Sequence, residues 1–97
     1  MSLNDAMPEA ELQSAIIEVA RLRGYLVYHT RDSRRSEPGF PDLVLAHPSK
    51  GVIFVECKTE KGKLSAAQIK WFETLSVGGS DVWVTRPSTL DAMLKRL

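Results

Sequence analysis

Between Gly39 and Leu75 the chain runs GFPDLVLAHPSKGVIFVECKTEKGKLSAAQIKWFETL. Two apolar runs, Leu43–Ala46 and Val52–Val55, flank a turn at Pro48-Ser49-Lys50-Gly51. They predict an antiparallel hairpin built from strands Asp42–Ala46 and Gly51–Lys58. A charged loop, Thr59–Leu64, leads to a helix predicted over Ala66–Ser76. Ser65 and Gln68 stand at capping-box spacing before it, and Gly78-Gly79 ends it.

Three charged residues break the apolar pattern. Asp42 opens the first strand, directly after a Gly-Phe-Pro turn. Glu56 and Lys58 interrupt the end of the second. Residues two apart on a strand share a face, so Glu56 and Lys58 point the same way. Cys57 alternates to the other side, as a small core hydrophobe. A charged pair on an interior strand is costly unless it is paired or bound to a metal. Register decides whether Asp42 joins them. A three-residue turn, Pro48–Lys50, pairs His47 with Gly51 and sets Asp42 opposite Glu56. A two-residue turn sets Asp42 opposite Cys57, on the wrong face unless a bulge intervenes. Two adjacent carboxylates repel unless a cation lies between them. Hard divalent ions such as Mg²⁺ bind through one or two carboxylates, waters and phosphate oxygens. Lys58 is a point charge suited to a phosphate oxygen or an attacking water.

Upstream, Pro8–Arg23 reads as a helix with Leu12, Ala15, Ile16, Val19 and Ala20 as its apolar stripe and Gly24 as its stop. Tyr25–Thr30 reads as a strand, and Arg31–Pro41 as a polar loop. Downstream, Asp81–Thr85 reads as a fourth strand, and Ser88 and Asp91 begin a short last helix. The order is αβββαβα. The class is α/β with a central mixed sheet, because the hairpin is antiparallel and the second helix crosses over to the fourth strand.

The whole chain, residues 1–97, has the size of one small domain. Its hydrophobic fraction of 43% excludes a wholly disordered chain. Neither four-residue apolar run is long enough to span a membrane. The opening MSLNDAMPEAEL has no basic segment followed by an apolar one, so no signal peptide is expected. A single cysteine excludes an internal disulfide and a cysteine zinc cluster. A reducing cytoplasm is the expected location. The 13 Lys and Arg against 12 Asp and Glu give a net charge of +1. That balance looks unpromising for a nucleic-acid partner, but the charges are segregated. Asp5, Glu9, Glu11 and Glu18 are the only charged residues among the first 20, and the remainder of the chain carries +5.

The string GFPDLVL…VIFVECKTEKGKLSAAQIKWFETL resembles the PD-(D/E)xK nuclease signature. More narrowly, it is similar to the virus-type replication-repair nuclease family, VRR-NUC. That family has an N-terminal helix with a Glu and a nearby Gln, a G-h-PD strand with h apolar, and an E-x-K strand. A K-L-S-x-x-Q-x-x-W/F helix, a Gly and a final strand follow. The pattern occurs here in order over about residues 9–85.

The resemblance implies a restriction-endonuclease-like core and metal-dependent cleavage of DNA phosphodiesters. Asp42, Glu56 and the backbone carbonyl of Cys57 would hold Mg²⁺, with Mn²⁺ able to substitute. No small-molecule cofactor is implied. Lys58 would orient or deprotonate a water, or stabilise developing charge. The helix acid matches either Glu9, which shares a face with the core stripe, or Glu11; Glu9 would join the metal ligands. Gln68 matches the family's functional Gln, yet locally it is a capping partner of Ser65. These roles conflict if one side chain must face both ways. Arg31, Arg34 and Arg35 would contact backbone phosphates, and Lys61 and Lys63 would extend that surface. His29 and His47 lack metal-ligand spacing, and Trp71, Phe72 and Trp83 read as core. Free-standing family members are similar to Holliday junction resolvases. A homodimer acting on branched DNA in replication, recombination or repair follows, with a phage or prophage-bearing bacterium as the source. A nuclease without junction preference and a non-catalytic DNA-binding module are the competing readings.

Overall fold

The structure, a computed structural model, describes residues 2–30 and 35–97. It contains α1 (Leu3–Ala6), α2 (Glu9–Leu22), β1 (Leu26–His29), β2 (Leu43–His47), β3 (Gly51–Cys57), α3 (Ala66–Val77), β4 (Asp81–Thr85), a 3-10 turn (Pro87–Thr89) and α4 (Leu90–Arg96). Two elements differ from expectation. The sequence reading did not include α1, a four-residue helix held by a reciprocal cap between Ser2 and Asp5. It is too short to show a periodicity. The 3-10 turn starts the last helical segment at Pro87, whose fixed φ suits a first helical position. Pro8 stands one place earlier than expected, as the cap of α2 rather than its first residue.

The sheet is mixed and ordered β1-β2-β3-β4. β1 and β3 both pair antiparallel with β2, and β4 runs parallel to β3. The connection takes the three-residue turn, with His47 paired to Gly51 and Leu43 to Val55. Gly51 sits at φ +80°, which costs glycine little and other residues much. His47 Nδ1 closes the turn by facing the N–H groups of Ser49 and Lys50 at 3.1 and 3.2 Å.

This register separates two sheet faces. Leu43, Leu45, Ile53, Val55 and Cys57 form the core face, which is fully buried. Leu12, Ile16 and Ala20, at helical spacing on α2, are also fully buried against it, as is Met93 of α4. Burying each large aliphatic side chain there is worth about 1.5–3 kcal/mol. α4 is tied down by Arg23 Nη1 on Leu94 O at 2.6 Å and by Lys50 Nζ on Leu97 O at 2.6 Å. The opposite face carries Val44, Phe54 and Glu56. α3 lies on part of it through Phe40, whose ring meets Trp71 and Phe54 edge-on at 5.1 and 6.3 Å. At the β1 edge this face stays open, and Leu26, Tyr28 and Val52 are exposed.

Candidate functional site

The two carboxylates fall on the partly covered face. Since Leu43 pairs with Val55, the next row of the hairpin sets Asp42 against Glu56. Asp42 Oδ2 accepts the Cys57 N–H at 2.8 Å, which fixes that carboxylate at the end of β3. Thr30 fastens the same turn from β1's side. Its N–H donates to Asp42 O at 2.9 Å and its Oγ1 to Pro41 O at 3.2 Å.

Glu56 is 5% exposed, and its Oε1 is buried where no N–H or hydroxyl donor reaches it. Burial pushes the Glu56 carboxyl up to about 9; a hydrogen bond shared with the Asp42 carboxylate, and that group's charge, add to the rise, with Lys58 opposing it. Burial likewise raises the Cys57 thiol. Its side chain lies in the core, fully buried, and takes no part in the site.

Gln68 reaches Glu56 from α3. Its Nε2 donates to Glu56 Oε2 at 3.3 Å while its Oε1 accepts the Ser65 N–H at 2.8 Å. Ser65 Oγ in turn accepts the Gln68 N–H at 3.1 Å, completing the capping box. The expected conflict between capping and site roles does not arise. A carboxamide has an acceptor end and a donor end, and each serves one role.

Gly39 makes this approach possible. It has φ +83°, and a Cβ there would stand 2.4 Å from the Ala67 carbonyl carbon and 2.6 Å from the Gln68 nitrogen. The Gly-Phe-Pro turn therefore lies directly on the start of α3. The signal was the glycine itself, but its partner is 28 positions away along the chain.

Lys58 follows β3 and has a side chain 15% exposed, with Nζ 4.0 Å from Glu9 Oε1. The structure thus brings Glu9 to the site's edge through Lys58, whereas Glu11 is exposed on α2. Among the described residues no three His, Cys, Asp or Glu side chains are grouped to hold one ion. The arrangement is a carboxylate pair with a lysine beside it, and the lysine bridges to the third acid. A cleft of about 520 Å³ opens beside the pair, and Gln13, His29, Asp42 and Gln68 line it. His29, which lacks metal-ligand spacing in the sequence, thus lines the cleft.

Of the expected phosphate-contacting residues, Arg31 and Arg34 lie outside the described residues. Arg35 and Lys63 are exposed. Lys61 is also exposed, with Nζ 3.8 Å from Asp5 Oδ2 of α1.

A buried Glu56 beside Asp42, with no donor group on its Oε1, suits a hard divalent cation. Such an ion would satisfy Oε1 and remove the repulsion between the two groups. The mixed sheet, the helix order and the Asp42–Glu56–Lys58 arrangement define a protein of the restriction-endonuclease-like PD-(D/E)xK class. The VRR-NUC domain model matches residues 3–88, so the chain belongs to the VRR-NUC family. A solved structure described as a VRR_NUC domain superposes with a TM-score of 0.74 at 28% identity, covering 90% of this chain and 94% of that one. A second, described as a VRR_NUC domain protein, has a TM-score of 0.66 at 17% identity, covers 94% of this chain and 91% of that one, and shares the fold. No curated protein matches by sequence. Family membership implies a nuclease-type function. No helix among the described residues is long and apolar enough to cross a membrane.

Proposed function

We propose that this protein is a Mg²⁺-dependent endodeoxyribonuclease, with Mn²⁺ able to substitute, and that it acts in the cytoplasm on branched DNA as a homodimer. The observation that carries the reading is the buried Glu56 carboxyl packed against Asp42, with no donor group on its Oε1. Asp42, Glu56 and the Cys57 carbonyl would hold the ion. When bound, it supplies a lowered pKa for water and neutralises charge on the phosphate.

The chain's own groups divide the remaining work. Gln68 orients Glu56 by holding Oε2, which leaves Oε1 as the free acceptor. The Cys57 N–H holds Asp42 in the same way. Lys58 orients the attacking water or stabilises the phosphoryl oxygens, and Glu9 fixes the lysine's position from α2. Hydrolysis forms one bond from water oxygen to phosphorus and breaks one P–O bond to a sugar. The leaving sugar oxygen takes one of the water's protons, and the new phosphate monoester keeps the water's oxygen and its remaining proton. Arg31, Arg34, Arg35, Lys61 and Lys63 would supply contacts to backbone phosphates.

The open sheet face supports the dimer. Leu26, Tyr28 and Val52 are 78%, 58% and 46% exposed and lie on the same face as Asp42 and Glu56. Burying that surface against a second copy removes an apolar patch from water and relates two sites by one axis. Cleavage of four-way junction, flap, nicked and linear duplex DNA, with Mg²⁺ and with Mn²⁺, tests the reading. Preferential cutting of the junction supports it. Equal rates on all four substrates contradict the junction preference, and no cutting of any contradicts the nuclease.

A further inference from the structure

Arg86 immediately follows β4, and the site as described so far does not use it. Its Nη1 lies 2.7 Å from Thr59 O, 3.2 Å from Glu60 O and 2.7 Å from Gly62 O. Three carbonyls of one loop thus turn inward on a single guanidinium. Two further contacts fasten the same junction. Lys58 N–H donates to Thr85 O at 3.0 Å, and the Ser88 N–H donates to Glu60 Oε1 at 3.0 Å.

This loop connects two groups of the site. It begins directly after Lys58 and ends at Ser65, the cap that holds Gln68. Glu56 and Cys57 are positioned by the β3–β4 ladder, in which Cys57 pairs with Thr85. Lys58 stands one residue beyond that ladder, held on its N–H side by Thr85 O, and on its carbonyl side it runs straight into the loop that Arg86 gathers. A planar, permanently charged fork directed at carbonyl oxygens is well suited to this, because it stays charged at any working pH and its donors are fixed in direction.

We infer that Arg86 is a positioning residue: by gathering the Thr59, Glu60 and Gly62 carbonyls it fixes the loop after Lys58 and so sets that lysine against Asp42 and Glu56. The inference rests on the nuclease reading for its catalytic consequence and on geometry alone for the clamp. Arg86 touches no substrate and acts through Lys58.

The test uses the full chain with Arg86→Met, Arg86→Lys, Lys58→Ala and the Lys58→Ala/Arg86→Met double variant. Native-state trypsin cleavage after Lys61 and Lys63 reads the clamp, with thermal midpoints measured alongside. Single-turnover cleavage of DNA reads the role. The expected result is that Arg86→Met is cut faster at Lys61 and Lys63. Its cleavage rate constant should fall about tenfold or more, with substrate affinity little changed, as a misplaced catalytic group predicts. Arg86→Lys, which restores a cation and its donors, should recover most of both. In the Lys58→Ala background, Arg86→Met should add no further loss. An unchanged trypsin pattern in Arg86→Met overturns the clamp. A loosened loop with full cleavage, or an equal further loss without Lys58, overturns the positioning role. If Arg86→Met does not fold, parent-like cleavage and trypsin resistance in Arg86→Lys support the clamp, and loss of both overturns the proposed rescue. A parent chain that cuts no DNA overturns the nuclease reading and the catalytic role together, while the trypsin result still decides the clamp.

Discussion

Gln68 donates to Glu56 Oε2 at 3.3 Å from a side chain whose other end caps its own helix. The first turn of α3 and the site are therefore one hydrogen-bonded unit. Gln68→Glu keeps the acceptor for Ser65 but replaces the donor with a third carboxylate near Asp42 and Glu56. Its thermal midpoint should stay nearer the parent's than that of Gln68→Ala, which also loses half of a capping box worth about 1 kcal/mol. Both variants should lose DNA cleavage. Parent-like cleavage by either one would separate the cap from the site.

The raised Glu56 carboxyl gives the metal-free protein an unusual pH dependence. Its unfolded value is 4.5 and its folded value about 9. Below 4.5 the proton is bound in both states. Between those values the unfolded chain releases it while the folded chain retains it, so stability falls as pH rises and levels off above about 9. Thermal midpoints across this window should decline for the parent and stay flatter for Glu56→Gln. Saturating Mg²⁺ should reduce or reverse the decline, since a coordinated carboxylate must be ionised. A parent profile without a fall, in the absence of metal, would contradict the burial argument.

Gly39→Ala combines a left-handed φ with an overlap onto the backbone of Ala67 and Gln68. It should lower unfolding free energy in urea by more than about 1 kcal/mol and weaken cleavage by displacing α3 from Glu56. Gly79→Ala provides the comparison. Gly79 shares a positive φ, but no atom lies within 4 Å of its added Cβ. It should retain cleavage.

Glu9 and Glu11 are separated by the structure more clearly than by the sequence. A pair at 4.0 Å with one partner 43% exposed contributes little to stability, under about 1 kcal/mol. Glu9→Gln should therefore melt like the parent yet cleave more slowly, because Lys58 loses its guide. Glu11→Gln should match the parent in both assays. Slower cleavage in Glu11→Gln and not in Glu9→Gln would reverse the assignment.

Much of this architecture was legible in the residues. The two apolar runs marked the hairpin, and Ser65 with Gln68 the start of α3; the choice between a three- and a two-residue turn, which sets Asp42 against Glu56, came from the pairing of His47 with Gly51. Other features depended on contacts between distant parts of the chain. Gly39 announced a turn but not the helix it abuts. Gln68 had two roles at one position, and only the direction of α3 shows that its two ends serve them separately. Tyr25–Thr30 reads as a strand, but its residues do not show which face is covered; α3 leaves the outer face open, so Leu26 and Tyr28 face solvent. Arg86 carries no signal in the sequence, because its partners are backbone carbonyls, which every loop possesses.

The net charge of +1 remains compatible with a DNA substrate. Glu9, Asp42 and Glu56 converge near Lys58 instead of being spread over the surface. A divalent ion held by the pair would cancel the charge of the two carboxylates and remove their repulsion of a phosphate.

The central claim is that Asp42, Glu56 and Lys58 form one metal-dependent cleavage site. The most direct measurement is Mg²⁺-dependent cleavage of a junction substrate by the parent, Asp42→Asn and Lys58→Ala, each shown to be folded by its melting curve. The account predicts cutting by the parent, abolished by EDTA, and a loss of about 100-fold or more in both variants, as for removal of a charge-stabilising group. Equal cutting by all three, or cutting that persists in EDTA, would contradict it.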